Sequence, residues 1–160
     1  MIKLVDLLKE IDNKDITIIA QDFMKSTSYN KSHDCKRSTY EFVKWLKKNK
    51  DIEPDVLLLA PPKDIKKFPG KSGEGDAHIF SIVNGYGLDF TADQFPGVQN
   101  PLKITPENQI ESEYKKIGGY FTNSLDWFNN GKYFIKSKIS QLPQWFKDGA
   151  EQDGFKPDDV

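Results

Sequence analysis

The dipeptide Asn84-Gly85 stands between two apolar runs, His78–Val83 and Gly87–Phe90. A two-residue turn that follows the natural strand twist needs positive φ at both central positions, and Asn-Gly supplies it better than almost any other pair. The segment therefore predicts a β-hairpin, and with it an antiparallel sheet that the rest of the chain must cover. His78 and Asp89 fall almost symmetrically about the turn. The sequence thus predicts them near-opposite across the ladder, where Cβ atoms lie about 5 Å apart.

The segments before the hairpin read as helices. Ile2, Val5, Leu8 and Ile11 recur at helical spacing, and Asp15 is placed to cap a second helix with Ile16, Ile19, Ala20 and Phe23 on one stripe. The polar stretch Ser26–Asp34 reads as a loop. Cys35 then opens CKRSTYEFVKWLKKNK, an amphipathic helix with Ser32 or Asp34 as its N-cap. Asp55–Ala60 predicts a buried strand stopped by Pro61-Pro62, and Lys63–Gly75 a Lys-, Gly- and Pro-rich loop. Farther on, Thr105-Pro106-Glu107 predicts a helix start with proline at the first helical position. Gly118-Gly119 predicts a break, Ser124–Asn129 a helix, Lys132–Ile139 a strand and Gln144–Gly149 a last short helix. Helices followed by a mostly antiparallel sheet define an α+β class. The expected organisation is one domain over residues 1–155, with 156–160 a frayed tail.

The charge balance, 23 basic against 24 acidic residues in 160, leaves no basic footprint for nucleic acid. One cysteine cannot form an internal disulfide, which excludes a disulfide-stapled scaffold. No apolar run approaches the roughly 20 residues needed to span a bilayer, and the amphipathic start carries no signal-peptide pattern. The expectation is a cytoplasmic protein, of the producing or a recipient cell, with no membrane partner.

Three residues carry the candidate chemistry. A helix N-terminus offers unpaired N–H groups and positive potential to a thiolate, and Cys35 heads a predicted helix with Lys36 and Arg37 beside it. A cysteine nucleophile also needs an imidazole to take its proton and a third group to fix the ring. His78 and Asp89 on paired strands fit those needs. DCKRS at 34–38, GDAHIF at 75–80 and GYGLDFTADQF at 85–95 together resemble the papain-like superfamily of thiol hydrolases, especially its transglutaminase-like and small bacterial or phage branches. The resemblance covers roughly residues 30–97. It implies a papain-like fold in which the Cys-bearing helix packs on the sheet. It also implies Cys35 as nucleophile, His78 as general base and Asp89 as orienting carboxylate, with a protein or peptide substrate and no cofactor. The reaction class it implies is acyl hydrolysis or transfer at a peptide, isopeptide or glutamine amide through a thioester. The chain departs from the family pattern at Lys36, where Trp or Tyr is frequent, and at Phe80, where Trp is frequent.

Gln94 and Gln21 are the side-chain candidates for an oxyanion or substrate contact, and Trp127 for a groove wall, although Trp127-Phe128 and Trp145-Phe146 read first as core. His33 is an alternative base. One cysteine and two distant histidines do not make a zinc pattern. Gly70-Lys71-Ser72 is not a phosphate-binding loop, because position 65, where that motif needs glycine, is Ile65. The competing reading is a catalytically inactive papain-fold binding or inhibitory protein, phage- or mobile-element-encoded.

Overall fold

A computed structural model describes residues 4–31, 34–59, 78–95, 97–118, 134–144 and 146–148. Ser32, His33, the expected loop at 63–75 with Gly70-Lys71-Ser72, the expected helix at 124–129 with Trp127, Trp145 and the expected tail at 156–160 all lie outside these residues.

The N-terminal segment forms one helix, α1 (Leu4–Lys25), where the sequence predicts two. Asn13-Lys14-Asp15 contains neither Gly nor Pro to interrupt the ladder, and Asp15 is exposed, so its carboxylate is left in water. The expected stripe survives: Ile16, Ala20 and Phe23 are fully buried. The helix ends where the Ser26 N–H and hydroxyl both donate to the Phe23 carbonyl, at 2.9 and 2.6 Å. α2 (Cys35–Lys50) begins and ends as its sequence predicts. Asp34 caps it with a side-chain oxygen that accepts from the backbone N–H groups of Lys36 and Arg37, at 3.0 and 3.2 Å. At the other end Asp51 adopts left-handed backbone, φ 54°, and closes the last turn.

The strands are β1 (Asp55–Leu59), β2 (His78–Val83), β3 (Tyr86–Asp89), β4 (Lys103–Pro106) and β5 (Phe134–Ser137). They form one antiparallel sheet in the order β4-β3-β2-β1-β5. Asn84 and Gly85 take φ of 48° and 79°, the two positive values a type I′ turn needs, and Val83 faces Tyr86 across it. Pro106 is the N-cap of the expected helical turn rather than its first residue, and it is also the last residue of β4, paired with Tyr86, with φ −54° and ψ 136°. An edge strand tolerates a proline that a central one would reject. A 3₁₀ turn at Glu107–Gln109 then leads into α3 (Ile110–Gly118), which ends at the predicted glycine break.

The alternation of side chains along β1 and β2 assigns the two faces. Val56, Leu58 and Ile79 pack with Cys35, Tyr40 and Val43 of α2, while Val83, Leu88 and Phe90 pack with Phe42, Leu46 and the α1 stripe. On the opposite face Leu57, Leu59, Phe80 and Ile82 meet Phe95, Ile110 and Tyr114. α2 is also fastened to the central strand by a buried hydrogen bond from the Thr39 hydroxyl to the Ile79 carbonyl, 3.0 Å. Among the described residues no helix is long and apolar enough to cross a membrane.

Gly87 lies under the cluster of Phe80, Ile110 and Tyr114. A Cβ there would come within 2.8 Å of the Phe80 ring and 3.0 Å of Ile110 Cδ1. Gly87→Ala should therefore destabilise the fold by about 1–3 kcal/mol, the usual cost of overpacking. Equilibrium denaturation reads this directly, and an unchanged midpoint would mean that β3 does not press against α3 as described.

Candidate active site

His78 is the first residue of β2 and faces Leu59, the last residue of β1. Its ring lies on the α3 side of the sheet, 4.9 Å from the Phe95 ring and 5.7 Å from Phe80, centroid to centroid. Its Nε2 is 2.6 Å from Asp89 Oδ2. The two residues are not directly opposite. Ser81 pairs with Leu88 and Ile82 with Gly87, so the register carries Asp89 toward Phe80 and reaches His78 on the diagonal. Diagonal neighbours on one face lie about 7–8 Å apart at the backbone, within reach of an imidazole and a carboxylate together.

Asp89 is 1% exposed, and each of its oxygens is occupied. Oδ1 accepts from the Thr91 backbone N–H at 2.8 Å and from the Thr91 hydroxyl at 3.2 Å. Oδ2 accepts from the Tyr114 hydroxyl at 2.7 Å in addition to meeting His78. Burial and the Asp89 charge, together with that hydrogen bond, hold the Tyr114 phenol well above its ordinary range, so it remains a donor.

Nε2 is committed to Asp89, and Gln94, in a 3₁₀ turn at Ala92–Gln94, places its amide against Nδ1. Cys35 comes from the other side of the sheet and engages the same ring by a side-chain hydrogen bond. Burial by itself pushes the His78 pKa down. The Asp89 charge and hydrogen bond, with smaller contributions of the same kind from Cys35, overcome that and bring it up to about 10. The ring proton thus contributes stability that is fully present below about 6.5 and is lost as pH rises through about 10. An imidazolium carries N–H at both nitrogens, so it would face Gln94 through the amide oxygen.

The structure brings Cys35, His78, Asp89 and Gln94 together. It does not bring Gln21, which stands exposed on α1 and is not among the groups gathered at His78. Tyr114 and Thr91 belong to the site and are missing from the sequence reading. Tyr114 follows Ile110 at helical spacing and looks like ordinary core, whereas Thr91 carried a signal in the Asp89-Phe90-Thr91 spacing of an Asx turn.

The surroundings of Cys35 also differ from expectation. Two of the N–H groups at the head of α2 are taken by the Asp34 carboxylate. Arg37 is paired with Glu41 at 3.2 Å, and the Lys36 ammonium lies 5.7 Å over the Phe146 ring. Both residues are buried, Cys35 at 7% exposed and His78 at 0%. A groove of about 770 Å³ lies apart from this cluster, between the 26–30 loop and the outer face of α2 at Arg37, Lys44, Trp45 and Lys48. Among the described residues, no three or more His, Cys, Asp or Glu side chains are arranged to hold a metal ion.

Comparison with family models, with curated proteins and with solved structures finds no match. The site's own geometry therefore carries the functional argument.

Asp34→Asn keeps an N-cap of equal quality while removing a negative charge beside the thiol. Alkylation of Cys35 should rise about two- to fivefold, matching the roughly 0.3–1 kcal/mol that a charge contributes at a helix end. Asp34→Ala should instead cost about 1 kcal/mol of stability. Rate measurements with iodoacetamide and parallel denaturation curves separate the two effects.

Proposed function

We propose that the chain is a thiol-dependent acyl hydrolase or acyl transferase of papain-like type, with Cys35 as nucleophile, His78 as general base and Asp89 as the carboxylate that orients the ring. One observation carries this reading. A carboxylate from β3 holds Nε2 of an imidazole from β2, and the thiol at the head of α2 hydrogen-bonds the same ring. The α+β class and antiparallel sheet accord with the resemblance.

In this mechanism the thiol proton moves to Nδ1 and the sulfur attacks the acyl carbon of an amide. The tetrahedral adduct collapses as the C–N bond breaks, and the Nδ1 proton passes to the departing amine. Water or an amine then attacks the thioester, gives its proton to Nδ1, and the C–S bond breaks as the thiol is re-formed. Asp89 stays ionised throughout and balances the imidazolium. The substrate class is a peptide, isopeptide or glutamine amide, and no cofactor enters any step. Gln94 is close enough to Nδ1 to contact a bound acyl group.

The second reading, an inactive papain-fold binding or inhibitory protein, is favoured by a specific feature. The His78 ring is fully buried and the Gln94 amide lies against Nδ1, the nitrogen that the proposed mechanism uses. Such a network could serve packing alone.

Chemical reactivity separates the two. Near neutral pH Cys35 should react with iodoacetamide faster than a model thiol, and His78→Ala should lower the rate by about tenfold or more. An inert Cys35 would sink the hydrolase reading.

Stability against pH gives an independent test, with the sign fixed by proton counting. A His78 proton taken from solvent makes the native state richer by one proton from about pH 6.5 upward, so stability falls by about 1.4 kcal/mol per pH unit. The fall should run from about pH 6.5 until the ring itself titrates near 10, and Asp89→Asn should shorten it. Unfolding curves of the parent chain and Asp89→Asn, taken at half-unit pH steps, isolate it.

A further inference from the structure

We infer that Tyr114 is a positioning residue that divides the Asp89 carboxylate between itself and the His78 ring, and so governs how readily the ring releases its proton. The inference deepens the proposed function and rests on it for its chemical consequence.

The geometry is specific. Oδ2 of Asp89 receives two partners, His78 Nε2 at 2.6 Å and the Tyr114 hydroxyl at 2.7 Å. Oδ1 is filled by the two Thr91 donors. The phenol thus competes for the very oxygen that holds the ring. A hydrogen bond donated to Oδ2 draws negative charge toward the hydroxyl and weakens the hold of that oxygen on an imidazolium. This matters because a base bound too firmly to its proton cannot pass it to a leaving group, and general catalysis is best when the proton is held near the working pH. His78, buried against a carboxylate, lies on the tight side of that optimum.

Nothing else about Tyr114 needs the hydroxyl. Its ring stacks on Phe80 at 4.9 Å with 15° between planes and meets Phe95 edge-on at 6.0 Å. Phenylalanine keeps both contacts, so Tyr114→Phe removes one donor and little else. Among the described residues, the Tyr114 hydroxyl is the α3 group that hydrogen-bonds Asp89.

The test is an NMR titration of the histidine ring nitrogens in the full chain carrying Cys35→Ala, which separates the ring from thiol chemistry. The chain has two histidines, so His33→Gln assigns the signals. Tyr114→Phe should move the His78 midpoint up by about one pH unit, the ordinary scale for a change in a direct carboxylate partner. Uniform 3-fluorotyrosine, whose phenol is a stronger donor, should move it down. The second arm decides alone if Tyr114→Phe does not fold. Midpoints unmoved in a folded chain, even with a lowered melting temperature, would overturn the proposal and leave the hydroxyl a structural bond. An inert Cys35 would sink the hydrolase reading while leaving these shifts intact, so the two failures are distinguishable.

Discussion

A carboxylate and an imidazole withdrawn from water must answer for each other's charge. Asp89 and His78 are about 1% and 0% exposed, and nothing in bulk solvent is available to stabilise either. An unpaired ion at such a depth costs several kcal/mol, and a buried pair is tolerable only when its remaining hydrogen-bonding positions are filled. That constraint explains why so much of the surrounding structure converges here. The turn after β3 folds back so that Thr91 can serve Oδ1 with two donors. α3 is aimed so that Tyr114 can serve Oδ2. The helices, hairpin and 3₁₀ turns around the pair can be understood as the means of supplying these donors while keeping water out.

The type I′ turn has a part in the same constraint. Its two positive-φ residues fix the β2–β3 register, and a one-residue slip would send Asp89 to the face occupied by α2. The carboxylate would then face Val83 and Phe42, with none of its present donors. Gly87 acts alongside, because the lack of a side chain lets Phe80 and Ile110 close over the strand between turn and carboxylate. A backbone choice made at Asn84-Gly85 is thus read out five residues later as an ion pair.

Much of this is local and was legible in the sequence. The hairpin, the span of α2 and the apolar run of β1 all follow from spacing within short windows, whereas the grouping of Cys35 with His78 and Asp89 came from the resemblance. What the sequence concealed is non-local or depends on competition between two local signals. Asp15 is a good cap residue, yet nothing around it breaks a helix, and continuous burial of Ile16, Ala20 and Phe23 favours one long α1. Pro106 is a good first helical residue, yet an edge strand accepts it equally well. The diagonal placement of His78 and Asp89 follows from the position of the turn, which carries Asp89 toward Phe80, two residues along β2 from His78. Tyr114 could not be recognised at all, because its role exists only once α3 has packed on the sheet.

The environment of Cys35 corrects the electrostatic picture in one respect that bears on mechanism. The head of a helix and two adjoining basic residues suggest a thiol activated by α2 itself. Yet the Asp34 carboxylate occupies two of the helix-end donors, Arg37 is turned to Glu41, and Lys36 lies over Phe146. A negative cap opposes a negative sulfur, so the field of α2 is largely answered before it reaches the thiol. Under the proposed mechanism the burden of forming the nucleophile therefore falls on His78, whose own proton affinity is set from the far side of the sheet by Asp89. Reactivity at α2 becomes a property of the β2–β3 pair, transmitted through one imidazole that joins the two faces.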